Sequence, residues 1–276
     1  MKYSNSKFSN IIFYIIITCL IFIISPTITR ILDQTTLPND IPQLFGGLLS
    51  TLLAISFVLF IHKQKHENIF NDIGILSKVN LPFYIALALP IILFTLSIIL
   101  GMITGTITNL SLSSDSGVWY AFLLNILVAI LYEAFPEELL VRGVILSELR
   151  KKLSFLPTLF LLPLIFALIG FLSHVFSTLI ITGNLTIPPL LIPIQLYLFG
   201  IALQLYREYS KSIWPSIIFH LICLEISRYV YNQQSSPIIT FNESMTGLMM
   251  LIGLFITMYL GSIISLSILL FWKRKK

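Results

Sequence analysis

The sequence predicts an all-α, polytopic membrane helical bundle of about eight transmembrane helices with both termini cytoplasmic. Three observations carry this. Hydrophobic residues make up 57% of the 276-residue chain and charged residues only 11%, whereas a soluble domain carries about 25% charged residues. The apolar residues fall in runs near the ~20 residues that a helix needs to cross a bilayer. The basic residues alternate between crowded and nearly empty connections along the chain.

Eight apolar runs stand at about residues 10–29, 44–61, 80–104, 118–138, 156–180, 187–206, 212–231 and 246–272. The first follows Lys2 and Lys7 but lacks a small-residue cleavage site and continues as SPTITR, so it is read as a retained anchor. Proline and glycine inside several runs are tolerated where neighbouring helices shield the freed backbone groups. Of the 17 basic residues, 15 fall on one side of this alternation, Arg142, Arg150, Lys151 and Lys152 among them, and only Arg30 and Arg228 on the other. The crowded side is cytoplasmic. The basic residues are topology determinants and anionic-lipid contacts, so the net charge of +5 does not point to nucleic acid as a partner. Cys19 and Cys223 both lie inside apolar runs and suggest neither a disulfide framework nor a zinc knuckle. With no repeat and no long soluble linker, residues 1–276 form a single transmembrane domain.

Ionisable residues within spans are candidates for function. Glu133, Glu137 and Glu138 lie on the fourth span, His174 on the fifth, His220 and Glu225 on the seventh. A glutamate and two histidines from three helices suit metal binding or water activation. Glu133 and Glu137 are four apart and share a helix face, as do Glu138 and Arg142, whose acid-before-base order favours an ion pair. Glu137 and Glu138 diverge by ~100° around the axis, so one can pair with Arg142 while the other faces the interior. A second reading stands beside this one: Glu137, Glu138 and Arg142 as an interfacial charge cluster followed by a cytoplasmic amphipathic helix over 139–152. Each histidine alone also suits an interhelical hydrogen bond. Glu225 suits a pair with Arg228, and Glu133 polar groups near Tyr132. Depth adds a condition. Glu137 and His174 meet only if the fourth helix continues through LLVRGVILSEL and the fifth begins near Leu159.

FPEELLVRGVIL contains the pattern EExxxR, followed by a histidine on the next span and by WPSIIFH two spans later. This ordered set resembles the CPBP family of intramembrane proteases, which includes the type 2 CAAX prenyl proteases and the bacterial Abi and bacteriocin-immunity proteins. The resemblance covers residues 118–235. It implies an intramembrane endopeptidase in which Glu137 activates a water, Glu138 and Arg142 support it, and His174 and His220 position the water or, with Glu137, ligate Zn2+. The implied partners are a membrane-associated peptide or protein substrate and the lipid bilayer. The composition and short chain point to a bacterial cell membrane. Two positions depart from the family pattern. Gly170 stands where FxxxH places phenylalanine, and Leu224 where HxxxN places a polar residue. The alternative is therefore a non-catalytic protein of the same fold, acting in bacteriocin immunity or as a scaffold. A transporter is disfavoured, because neither repeated halves nor paired broken helices are present.

Overall fold

The computed structural model describes residues 8–38, 40–65, 69–233 and 236–275. Lys2, Lys7 and Lys276 lie outside them. Eight long helical rods stand where eight spans are expected: α1 (Phe8–Asp33), α2 (Asp40–Lys65), α4 (Leu81–Ile103), α5 (Ser116–Lys152), α6 (Phe155–Thr182), α7 (Leu191–Ser210), α8 (214–231) and α9 (250–275). A five-residue helix, α3 (Ile69–Ile73), follows α2. Six of the rods are long and apolar enough to cross a membrane by length and composition. The other two, α7 and α8, are the most enclosed. Almost every residue of α7 from Phe199 to Ser210 is buried, so these two rods have little lipid-facing surface to make apolar. The outer faces of α1, α2, α4 and α6 expose large apolar side chains such as Ile12, Leu52, Ile91 and Phe160, as helices in lipid should.

Ends are set locally. The Asn80 side chain accepts from the Phe83 amide to start α4, and Asp115 accepts from the Gly117 amide at 2.8 Å to start α5. Gly183, at φ 70°, closes α6. One feature departs from an all-helical plan. Residues Ile107–Leu112 (β1) and Ile239–Glu243 (β2) pair antiparallel, with Ile107 opposite Glu243 and Leu112 opposite Ile239. These stretches link rods at one end of the bundle. There the two strands satisfy each other's backbone groups where no helix continues.

The longest rod, α5, differs most from its predicted span. It runs 37 residues, well past residue 138, so 139–152 is not a separate surface helix. Leu139 through Ile145 are all buried. Two stretches, Ile130–Ala134 and Glu138–Ile145, wind as π-helix, a form concentrated at functional sites. Between them Pro136 lacks an N–H, so the helix is one donor short for the carbonyls four and five residues back. Those carbonyls belong to Tyr132 and Leu131. Ser50 donates to the first at 3.2 Å and Thr51 to the second at 2.5 Å, both from α2. Glycines let α2 come this close: a Cβ on Gly46 would collide with Thr29 and Tyr132, and one on Gly47 would meet Leu131 at 3.2 Å.

Replacing Ser50 with Ala and Thr51 with Val should therefore destabilise the bundle, by about 1–3 kcal/mol for each carbonyl left bare. The loss should shrink when Pro136→Ala restores the amide. Thermal unfolding in detergent of the four combinations checks this, and an equal loss in both backgrounds would refute it.

Candidate active site

Glu137 and Glu138 are neighbours on α5 with opposite surroundings. Glu138 is fully buried. Its Oε1 lies 2.9 Å from Arg142 Nη1 and 3.2 Å from His220 Nδ1, and its Oε2 lies 2.7 Å from Ser216 Oγ. Ser216 and His220 sit four apart on α8, so one helix face delivers both. Ser216 Oγ is also 2.8 Å from the Leu203 carbonyl of α7. Arg142 is equally buried. It reaches the Gly200 carbonyl of α7 at 3.4 Å, and its guanidinium lies 4.1 Å above the Phe166 ring of α6. A buried ion pair survives only when further bonds compensate the lost hydration, and these contacts supply them. With Nδ1 against a carboxylate, His220 must carry its proton there, which leaves Nε2 as the acceptor of the neutral ring.

Glu137 faces the other way, into a cavity of about 250 Å³ between α1, α2, α5, α6 and α7 that His174 also lines. This far exceeds the ~10–15 Å³ that admits a water. Glu133, Glu138, Arg142 and the His220 ring are its ionisable neighbours. Only the first half of the depth condition is met, because α5 runs on past Glu138, yet Glu137 and His174 line one cavity. The fifth rod begins at Phe155 rather than near Leu159. His220 does not line this cavity; it stands behind the wall, held by Glu138. Gly170 does line it, and a Cβ there would meet Leu196 Cδ1 at 2.8 Å. The space a larger residue at 170 needs is thus taken by α7.

Several expected pairings change. Arg142 is no cytoplasmic topology determinant but a fully buried member of the core, because Glu138 holds it inside. Arg228 pairs with Glu133 at 2.7 Å, not with Glu225, whose Oε1 accepts from Asn125 Nδ2 at 2.7 Å. Glu225 does not line the Glu137 cavity. The cavity wall also contains Arg30, Tyr132, Ser50 and Ser173. Arg30 Nη1 donates to Thr178 Oγ1 at 3.2 Å, and Ser173 donates to the Phe22 carbonyl. None of these four stands in a sequence motif. Ser216 does have a detectable signal, its i, i+4 spacing from His220.

Among the described residues, no three His, Cys, Asp or Glu side chains converge to hold a metal ion. Glu137 and His174 share the cavity, while His220 is turned to Glu138. As arranged, the trio Glu137, His174 and His220 does not fit the ligand set of a zinc site.

Residues 118–224 match the family model described as type II CAAX prenyl endopeptidase Rce1-like. The matched segment contains Glu137, Glu138, Arg142, His174 and His220. No curated protein and no solved structure matches the chain.

Removing one member of the buried pair leaves an uncompensated charge. Arg142→Met should cost about 3–5 kcal/mol, whereas Glu138→Leu with Arg142→Met should recover most of that loss. Denaturation of the two variants in detergent measures the difference. Equal stability would show that the pair is not what holds α5 in place.

Proposed function

We propose that this multi-pass membrane protein, whose residues 118–224 match the type II CAAX prenyl endopeptidase Rce1-like family model, is an intramembrane endopeptidase with Glu137 as its general base. The observation that carries the reading is the division of labour between the two glutamates. Glu138 has its oxygens occupied by Arg142, His220 and Ser216, while Glu137 faces a cavity roomy enough for water.

Glu137 takes a proton from a cavity water, and the oxygen attacks the scissile carbonyl carbon. The tetrahedral intermediate collapses as the C–N bond breaks, and Glu137 returns the proton to the leaving amine. His174, on the same cavity, positions the water. His220, Glu138 and Arg142 are positioning residues that fix the rotation of α5 and hence the aim of Glu137. Arg30 and Tyr132 are the wall groups suited to the developing oxyanion, in the absence of a polar side chain at Leu224.

The second reading, a non-catalytic immunity or scaffold protein of the same fold, is favoured by Leu224 and by Glu225 being committed to Asn125. The two readings part at Glu137→Gln. As a base, Glu137 should lose about 100–10,000-fold in rate on this change, with no change in unfolding temperature. Mass spectrometry of peptides from membranes and medium, compared between wild type and Glu137→Gln at matched abundance, reads the outcome. Identical peptide profiles would favour the non-catalytic reading.

A further inference from the structure

The last turns of α5 and α7 enclose a cavity of about 280 Å³ that shares no residue with the Glu137 cavity. Arg142 reaches the Gly200 carbonyl and Arg150 pairs with Glu208. Both steps are eight residues, from 142 to 150 and from 200 to 208, so the two rods run side by side in one direction. The cavity sits at the foot of their seam. α3 borders it, where the Asp72 carbonyl accepts from Arg207 at 2.9 Å.

The wall of this cavity is charged. Arg150, Lys151, Arg207 and Lys211 line it, against Asp72 and Glu208. Glu208, with a side chain only 7% exposed, is shared by Arg150 at 3.2 Å and Lys211 at 2.8 Å. Lys151 pairs with Glu148 at 2.8 Å, just outside the wall. Lys273, near the end of α9, adds a further cation by donating to the Tyr209 carbonyl at 3.2 Å, two residues before Lys211. Arg207 bonds a backbone carbonyl, and its Nε is buried with no acceptor. These side chains make five cations and three carboxylates, a surplus of two positive charges. Like charges gathered in this way repel one another unless an anion balances them, and a buried donor without an acceptor is costly. Phosphate oxygens answer both needs, because they accept charge-assisted hydrogen bonds from guanidinium and ammonium groups.

From this surplus and the unanswered Arg207 we infer that the cavity is a phosphate-binding site, and that its occupant is the headgroup of an anionic phospholipid. The lipid source follows from position. The cavity lies where apolar rods end, and exposed Phe271 and Trp272 precede Lys273 on α9. Basic pockets between the ends of membrane helices take anionic headgroups. A headgroup held by Arg150 and Arg207 ties α5 to α7 at the foot of the seam that Arg142 fastens higher up.

Thermal unfolding and native mass spectrometry of the full chain in detergent test this, with phosphatidylglycerol, phosphatidylcholine and inorganic phosphate as probes. Phosphatidylglycerol should raise the unfolding temperature and stay bound. Phosphatidylcholine, whose headgroup has no net charge, should do neither. Lys211 is 63% exposed, so Lys211→Gln leaves the core intact, and it should weaken phosphatidylglycerol binding about fivefold. Lys78→Gln removes the same charge from an exposed position outside the cavity wall and should leave binding unchanged. Equal losses in the two variants would reduce the effect to diffuse surface attraction and overturn the site, as would equal binding of the two lipids. Stabilisation by inorganic phosphate alone, lost in Lys211→Gln, would give the cavity to a soluble phosphate and overturn the lipid assignment.

Discussion

The structure depends on one buried carboxylate. Glu138 accepts from Arg142 on its own helix and from Ser216 and His220 on α8, and Arg142 carries the connection on to Gly200 and Phe166. Four helices are thereby keyed to a single charge. In an interior where apolar side chains can slide past one another, a hydrogen-bonded charge network has few alternative registers. Adjacent residues on a helix point about 100° apart, so fixing Glu138 also fixes Glu137. The direction of Glu137 is therefore set through its neighbour Glu138.

The same network separates wet from dry. On one side of α5 lie the cavity and a second polar cavity that shares Arg30, Tyr132 and Glu133 with it. On the other lie Tyr206 and Phe219, stacked 4.4 Å apart, and the buried run Leu139–Ile145. The polar groups of the bundle are therefore graded along its axis. Paired charges such as Glu133 and Arg228 stand nearest the exposed ends of α1 and α2, then a glutamate on the cavity wall, and behind it a buried ion pair in which only Arg142 Nε lacks a partner. Beyond that pair, Ile73 of α3 packs on Gly143.

Much of this was legible in the sequence. Apolar run length located seven of the eight rods, and the start of the other, within about four residues, and the i, i+4 spacing of Glu138 and Arg142 anticipated their bond. The spacing rules failed where tertiary partners chose among options that local geometry left equal. Arg228 had Glu225 three residues away but took Glu133 from another helix. Arg142 was counted with the topology determinants because a sequence tally weighs every basic residue alike, and only packing distinguishes a core arginine from a surface one. The end of the fourth span was set too early because charge was taken to mark the membrane boundary, whereas here it lies inside the bundle. The β1–β2 pair left no periodic signal, since neither strand alternates: β1 buries only its first residue and β2 only Phe241. Ser50 and Thr51 were invisible as functional support because their partners are backbone carbonyls, which a sequence does not distinguish.

Pro136 adds a constraint on the order of assembly. A chain delivered to the membrane from its N-terminus presents α2 before α5. The hydroxyls of Ser50 and Thr51 are thus already in place when the two carbonyls beside Pro136 arrive without donors of their own. Were the helices reversed in sequence, the broken stretch of α5 would have to wait in hydrocarbon with bare carbonyls until its partner appeared. The position of GGLLST upstream of FPEELLVRG lets the earlier segment act as a template for the later one, so that the defect in the helix next to Glu137 is repaired as it forms.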